Sequence, residues 1–138
     1  MPAIDVTVPD DLLPHEADGQ LAHELATALL KAEGAPLRAP FLENTAAYIH
    51  RLPAEAVHTA GTAAARTVRI EVLTPPGALD RDGQRAFVAQ ATEVVTRLSG
   101  DPSQAGRTWV LLREAAEGGW GVAGHALGRE DFAKLRGA

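Results

Sequence analysis

Two stretches of the chain alternate between apolar and polar residues, and a helical pattern follows each of them. Ile4, Val6 and Val8 are the apolar positions of the first stretch, and positions 68, 70 and 72 repeat the alternation. A period of two predicts a strand with one buried face. The residues after each strand are apolar at helical spacing, which predicts two amphipathic helices. These positions are Leu21, Leu25, Ala28 and Leu29 in the first helix, and Phe87, Ala91, Val94, Val95 and Leu98 in the second.

The same order of elements occurs twice along the chain. The tripeptide Asp-Gly-Gln stands at 18–20 and again at 82–84. Gly34 and Gly100 follow the two helical patterns, where the end of a helix favours a residue with positive φ. A further strand pattern comes next in each half, AAYIHRL and TWVLLRE. The sequence therefore predicts a single domain over 1–138, made of repeats at 2–61 and 66–124 and a tail at 125–138.

A strand–helix–strand unit of this length joins two parallel strands by a right-handed crossover. We therefore predict an α/β (α+β) fold built as a tandem β-α-β repeat, in which two helices cover one face of a four-stranded sheet. The last strand of each unit is apolar on both faces, so the open face of the sheet is expected to pack against another subunit. In the tail, Phe132 and Leu135 share a helical face and predict a short helix that docks on a neighbour.

Composition excludes several classes of function. The net charge is −5 and no basic run is present, which argues against a nucleic-acid partner. The chain has no cysteine, so disulfides, zinc–thiolate sites and a cysteine nucleophile are excluded, and no metal-ligand spacing occurs. Neither a signal-peptide pattern nor an apolar run long enough for a membrane span is found. The expected location is the cytoplasm.

The chain resembles the tautomerase superfamily, whose members include 4-oxalocrotonate tautomerase, malonate semialdehyde decarboxylase and the 3-chloroacrylic acid dehalogenases. Three features carry the resemblance: Met1-Pro2 leading directly into a strand, the doubled β-α-β unit, and the segments Trp109–Glu114 and Gly119–Gly124. The resemblance implies a homotrimer of two-unit chains with a pocket at each amino-terminal proline. It also implies cofactor-independent chemistry, without a metal, on small carbonyl or enol acids.

Pro2 is the candidate catalytic residue. Removal of Met1 would give Pro2 a free secondary amine, and an amino terminus titrates near about 8 in water. Burial lowers such a pKa, so the amine can serve as a general base near neutral pH. This chemistry predicts a tautomerase or isomerase acting on an enolisable carbonyl compound. Two alternatives stay open: protonated Pro2 acting as an acid in decarboxylation, hydration or dehalogenation, and a non-catalytic trimeric binding protein of the same fold.

Five residues are the candidates for binding the substrate. The resemblance implies arginines after a first strand or at the start of a second, but the first loop of this chain is acidic, and only Arg107 adjoins a second strand. Tyr48 and His50 share one face of their strand and are candidate donors to a developing oxyanion. Trp109 and Trp120 are candidate aromatic walls, and the resemblance implies that role for Trp120 in particular.

Overall fold

A computed structural model describes residues 1–138. Its main feature is a four-stranded mixed sheet with the strand order β2-β1-β3-β4, and a separate hairpin pairs β5 with β6. No helix has the length and apolar character needed to cross a membrane. The strands are β1 (Ala3–Pro9), β2 (Ala46–Leu52), β3 (Val68–Thr74), β4 (Thr108–Glu114), β5 (Trp120–Val122) and β6 (His125–Leu127), and the helices are α1 (Asp18–Ala32), α2 (Arg81–Ser99) and α3 (Arg129–Gly137).

The architecture confirms the predicted doubled unit. β1 pairs with β2 in parallel, β3 pairs with β4 in parallel, and β1 and β3 join the two units as antiparallel neighbours. The alternation read from the sequence places one face of β1 and β3 under α1 and α2. The core on that face consists of Ile4, Val6, Val8, Leu12, Leu13, Leu21, Leu25, Leu29, Val68, Ile70, Val72, Phe87, Ala91, Val94 and Val95.

Two glycines shape the second unit. Gly83 lies in the first turn of α2, and a Cβ at this position would come within 2.6 Å of the Ala32 carbonyl oxygen. Glycine therefore allows the start of α2 to approach the end of α1 closely. Gly100 ends α2 with φ of 70°, the left-handed conformation predicted for that position. The tight contact fixes how the two units sit on the sheet.

The face of the sheet opposite the helices is open and carries large apolar side chains. Tyr48 and Trp109, for example, are 56% and 52% exposed. They alternate with half-buried residues that face the helices, as the pattern of the second strands predicted. Leu52 on β2, Leu73 on β3 and Leu111 on β4 are exposed as well.

The tail forms a helix, as predicted, but it docks on its own chain. Phe132 of α3 is only 2% exposed and belongs to a second apolar cluster, separate from the core under the sheet. The β5–β6 hairpin, which the sequence did not predict, lies between β4 and α3 and contributes Trp120 and Leu127 to this cluster. The tail is therefore part of the structure around the amino terminus.

Arg51 connects the end of β2 to the segment that leads into α1. Its guanidinium donates hydrogen bonds to Asp18 at 2.6 Å and to the carbonyl oxygens of Asp10, Leu13 and Pro14 at 2.8–3.0 Å. Its side chain is 12% exposed.

We expect Arg51→Met to lower the free energy of unfolding by about 2–3 kcal/mol, because it leaves a half-buried carboxylate and three carbonyls without their donor. Urea denaturation measures this change. The matched control is Arg85→Met, which removes an exposed pair with Asp82 and should change stability by less than about 0.5 kcal/mol. Equal effects of the two variants would contradict the structural role of Arg51.

Candidate functional site

Pro2 directly precedes β1, which is an inner strand of the sheet. It therefore lies at one end of the strands, between the neighbouring strands β2 and β3. The next residue, Ala3, is in register with Ala46 at the start of β2 and with Leu73 near the end of β3. Pro2 is buried, and so is Met1 in front of it. The central position of β1 therefore carries the amino terminus into the protein instead of into solvent.

A set of apolar side chains surrounds the amino terminus, and we call it the N-terminal chamber. Its walls come from the last turn of α1 and the loop that follows, from the β5–β6 hairpin and from α3. Met1 occupies its interior and is 3% exposed. The chamber consists of Met1, Leu30, Ala35, Phe41 and Phe132, with Trp120, Leu127 and Leu135 packed against them.

A carboxyl group faces the terminal nitrogen inside this apolar surrounding. Oε2 of Glu33 lies 4.0 Å from the Met1 nitrogen, and the Glu33 side chain is 1% exposed. Burial lowers the pKa of the Met1 amino group from 8.0 to about 6, although the charge of Glu33 opposes this shift. Burial also raises the pKa of Glu33 from 4.5 to about 7, against the attraction of the amino group. Desolvation outweighs the mutual attraction for both groups, so their neutral forms are accessible near neutral pH.

Arg136 supplies the positive charge at this site. It lies in the last turn of α3, and its charge lowers the pKa values of both the amino group and Glu33. Nε of Arg136 and Oε1 of Glu33 are buried, and neither has a hydrogen-bond partner within the protein. Buried polar atoms normally find a partner, so two unpartnered atoms beside one apolar chamber point to a place for a polar ligand.

The structure brings one predicted binding residue to the N-terminal chamber. Trp120 packs against the cluster that contains Met1. Its indole is therefore available as a wall of any pocket at Pro2. Trp120 and Met1, the residue bonded to Pro2, therefore belong to the same apolar cluster.

Trp109 and Arg107 lie elsewhere in the protomer. The register pairs Trp109 with Arg69, and Arg69 pairs with Thr7, so Trp109 is at the end of the sheet opposite Pro2. Arg107 precedes the start of β4 at that same end, and its guanidinium bonds Asp101 at 3.1 Å.

Tyr48 and His50 point to the open face of the sheet. Nε2 of His50 lies 2.7 Å from Oδ1 of Asp5, and both side chains are about half exposed. Tyr48 stands opposite Asp5 on the neighbouring strand. Within one protomer, therefore, this pair does not meet the N-terminal chamber, and a subunit interface would have to bring it to a site.

Sequence reasoning missed Glu33 and Arg136. One signal was available for Glu33: it is an acidic residue at the end of a helix, where the helix dipole disfavours negative charge. Arg136 gave no comparable signal, because a basic residue in the last turn of a helix is ordinary. Only the docking of α3 shows that the two residues share one site.

Comparison with known proteins gives a family for the second unit. Residues 67–130 match the family described as "Tautomerase enzyme". This range runs from the residue before β3 into the first turn of α3. It therefore includes the hairpin that carries Trp120. No curated protein matches the sequence.

Solved structures match the fold of nearly the whole chain. A fused 4-OT wild-type symmetric trimer has 20% identity and a TM-score of 0.75, and the match covers 89% of this chain and 93% of that one. A member of the cis-3-chloroacrylic acid dehalogenase family, N1, has 18% identity and a TM-score of 0.75, with 96% and 90% covered. A macrophage migration inhibitory factor-like protein from Entamoeba histolytica has 16% identity and a TM-score of 0.71, with 90% and 96% covered.

Proposed function

We propose that this chain is a member of the tautomerase superfamily and an enzyme that moves a proton in a small enolisable carbonyl compound, with Pro2 as its general base; the family match at residues 67–130 and the shared fold support this. The proposal requires removal of Met1, which frees the secondary amine of Pro2. The observation that carries it is the burial of both Met1 and Pro2 at the N-terminal chamber, where burial lowers the pKa of the Met1 amino group to about 6.

The chamber supports this chemistry through desolvation. A terminal amine there has little water to stabilise its charged form, so it stays neutral and able to accept a proton near pH 7. Removing Met1 leaves Pro2 at the wall of a space the size of a methionine residue, bordered by Phe41, Phe132 and Trp120. A small carbonyl compound in that space places its acidic carbon next to the proline nitrogen. The proline ring fixes the direction of that nitrogen.

We propose that the active form is a homotrimer. The fused 4-OT relative is a symmetric trimer. The open face of the sheet exposes Tyr48, Trp109 and Leu111, which are large apolar groups of the kind that subunit contacts cover. In a trimer, these side chains and His50 would lie at the interface, and Arg107 would lie near it. Their proposed contacts with substrate depend on that assembly.

The first test is the intact mass of the untagged protein, followed by titration of its amino terminus. We expect a mass without Met1 and a Pro2 amine with a pKa below about 7, because the chamber desolvates the amine. Proton NMR in deuterated water then measures exchange at the acidic carbon of phenylpyruvate, an enolisable keto acid. We expect Pro2→Ala, which keeps a terminal amine but loses the fixed ring, to slow this exchange at least about tenfold.

Other outcomes point to the two alternatives. A Pro2 amine with a pKa near about 9 would make it an acid and favour decarboxylation or hydration. Retention of Met1 on the purified protein would remove the proposed base and favour a non-catalytic binding protein. A folded Pro2→Ala protein with full activity would contradict the role of Pro2.

A further inference from the structure

Glu33 is a buried titratable group with no structural partner that explains it. One of its oxygens, Oε1, is buried without a hydrogen bond, and the other faces the terminal nitrogen at 4.0 Å. Leaving a carboxyl oxygen buried and unpartnered costs about 1–3 kcal/mol, more when it is charged. An apolar side chain would pack against these walls without that cost, so stability alone does not account for a carboxyl group here.

The position of Met1 defines where a substrate would meet Glu33. The carbonyl carbon of Met1 is bonded to the Pro2 nitrogen, and the amino end of the same residue approaches Glu33. A molecule that occupies the place of Met1 therefore contacts the Pro2 amine at one end and the Glu33 carboxyl at the other. Proton removal and proton delivery on one substrate need this arrangement of two groups.

We propose that Glu33 is a second catalytic residue, a general acid that protonates the carbonyl oxygen of the substrate while Pro2 removes a proton from the adjacent carbon. The proposal rests on the proposed function of Pro2. The C–H bond breaks and its proton goes to the Pro2 nitrogen, and the electron pair forms a carbon–carbon double bond. The carbonyl π pair moves to oxygen, which takes the proton of Glu33. A proton passing from Pro2 back to Glu33 restores both groups.

The charges around Glu33 suit this role. The charged groups that face it are the amino terminus, from the start of β1, and Arg136, from α3. Arg136 has a buried, unpartnered Nε and stabilises the carboxylate that remains after the proton has been given up. Burial keeps Glu33 protonated up to about pH 7, far above the range of an ordinary glutamate. The acid is thus present in the pH range where the desolvated amine is neutral.

Glu33→Gln in the protein that lacks Met1 tests the proposal, since glutamine keeps the shape but cannot transfer a proton. We expect kcat for exchange on phenylpyruvate to fall by about 100-fold. We also expect the loss of activity on raising the pH through about 7 to disappear, because that limb reports Glu33. Glu33→Asp should recover part of the rate and restore the limb. The matched control is Glu24→Gln, which changes a partly buried carboxyl on α1, the helix that Glu33 directly follows; Glu24 is paired with Arg97 and lies outside the chamber.

A second readout needs no substrate. In the protein that lacks Met1, the pKa of the Glu33 carboxyl, measured by ¹³C NMR, should stay near about 7, because the apolar walls of the chamber still bury it. A Glu33 pKa near 4.5, or full activity of Glu33→Gln with the same pH limb, would overturn the role of Glu33. Either of these results would overturn the role of Glu33 without contradicting the role of Pro2. The proposed function itself fails if the protein without Met1 catalyses no exchange, or if Pro2→Ala exchanges at the full rate.

Discussion

A protein that keeps one residue in front of Pro2 is expected to lose proton transfer by about 10³-fold, the scale of removing a positioned base. Two physical reasons act together. The Pro2 nitrogen becomes an amide, which is not basic. The added residue also fills the N-terminal chamber, as Met1 does at 3% exposure. The base and the binding space are therefore lost in one change.

The variant is Met1→Ala preceded by its own initiator methionine, so that processing leaves a single alanine attached to Pro2. The measurement is exchange at the acidic carbon of phenylpyruvate, with the amino terminus checked by intact mass. The control carries the same extra alanine after Ala138, at the other end of the chain. Equal activity of the blocked and processed proteins would show that the Pro2 amine takes no part in the reaction. Retained circular dichroism and thermal midpoint would show that the loss is chemical.

Most of the fold could be predicted because its elements are locally encoded. The alternation of Ile4, Val6 and Val8 with polar residues predicts a strand with one buried face, and no contact elsewhere in the chain is needed to recognise it. In the structure all three side chains are completely buried. The duplication then predicted the strand pairing within each unit, since a β-α-β unit forms a parallel pair with a right-handed crossover. The β5–β6 hairpin escaped prediction because strands of three residues are too short to show a period.

The candidate site was predicted only where one residue carried its own signal. Pro2 was a candidate because proline at the amino terminus has distinctive chemistry, and Trp120 because the resemblance implied an aromatic wall at that position and large aromatic side chains are few in this chain. Glu33 and Arg136 lie far apart in the sequence and meet only when α3 docks beside the amino terminus. Such a pair depends on tertiary packing of the tail, which no local pattern encodes.

Trp109 illustrates the opposite difficulty. Its size and its strand suggested a pocket wall, but the register places it at the far end of the sheet from Pro2. The sequence identifies which face of a strand a residue occupies, because that follows from alternation. The end of the sheet at which it lies depends on the antiparallel pairing of β1 with β3, and a repeat pattern alone does not give that pairing.

The docking of α3 also predicts how the electrostatics of the site can be disturbed. Phe132 joins α3 to the N-terminal chamber and is 2% exposed, while Phe87 is fully buried in the separate core under the sheet. Replacing either phenylalanine by alanine is expected to cost about 3–5 kcal/mol of unfolding free energy, measured by urea denaturation, because each leaves a large cavity. The two variants thus match in chemistry and in stability loss.

They should differ at the amino terminus. In protein that keeps Met1, Phe132→Ala opens the wall of the chamber and admits water, so the pKa of the Met1 amino group should rise from about 6 towards 8, and that of Glu33 should fall from about 7 towards 4.5. Phe87→Ala should leave both values unchanged, since its cavity lies in the other cluster. NMR titration of both groups measures the difference. If both variants shifted these pKa values equally, general loosening of the fold would explain the change. Desolvation by α3 would then not be the cause of the lowered pKa of the amino group.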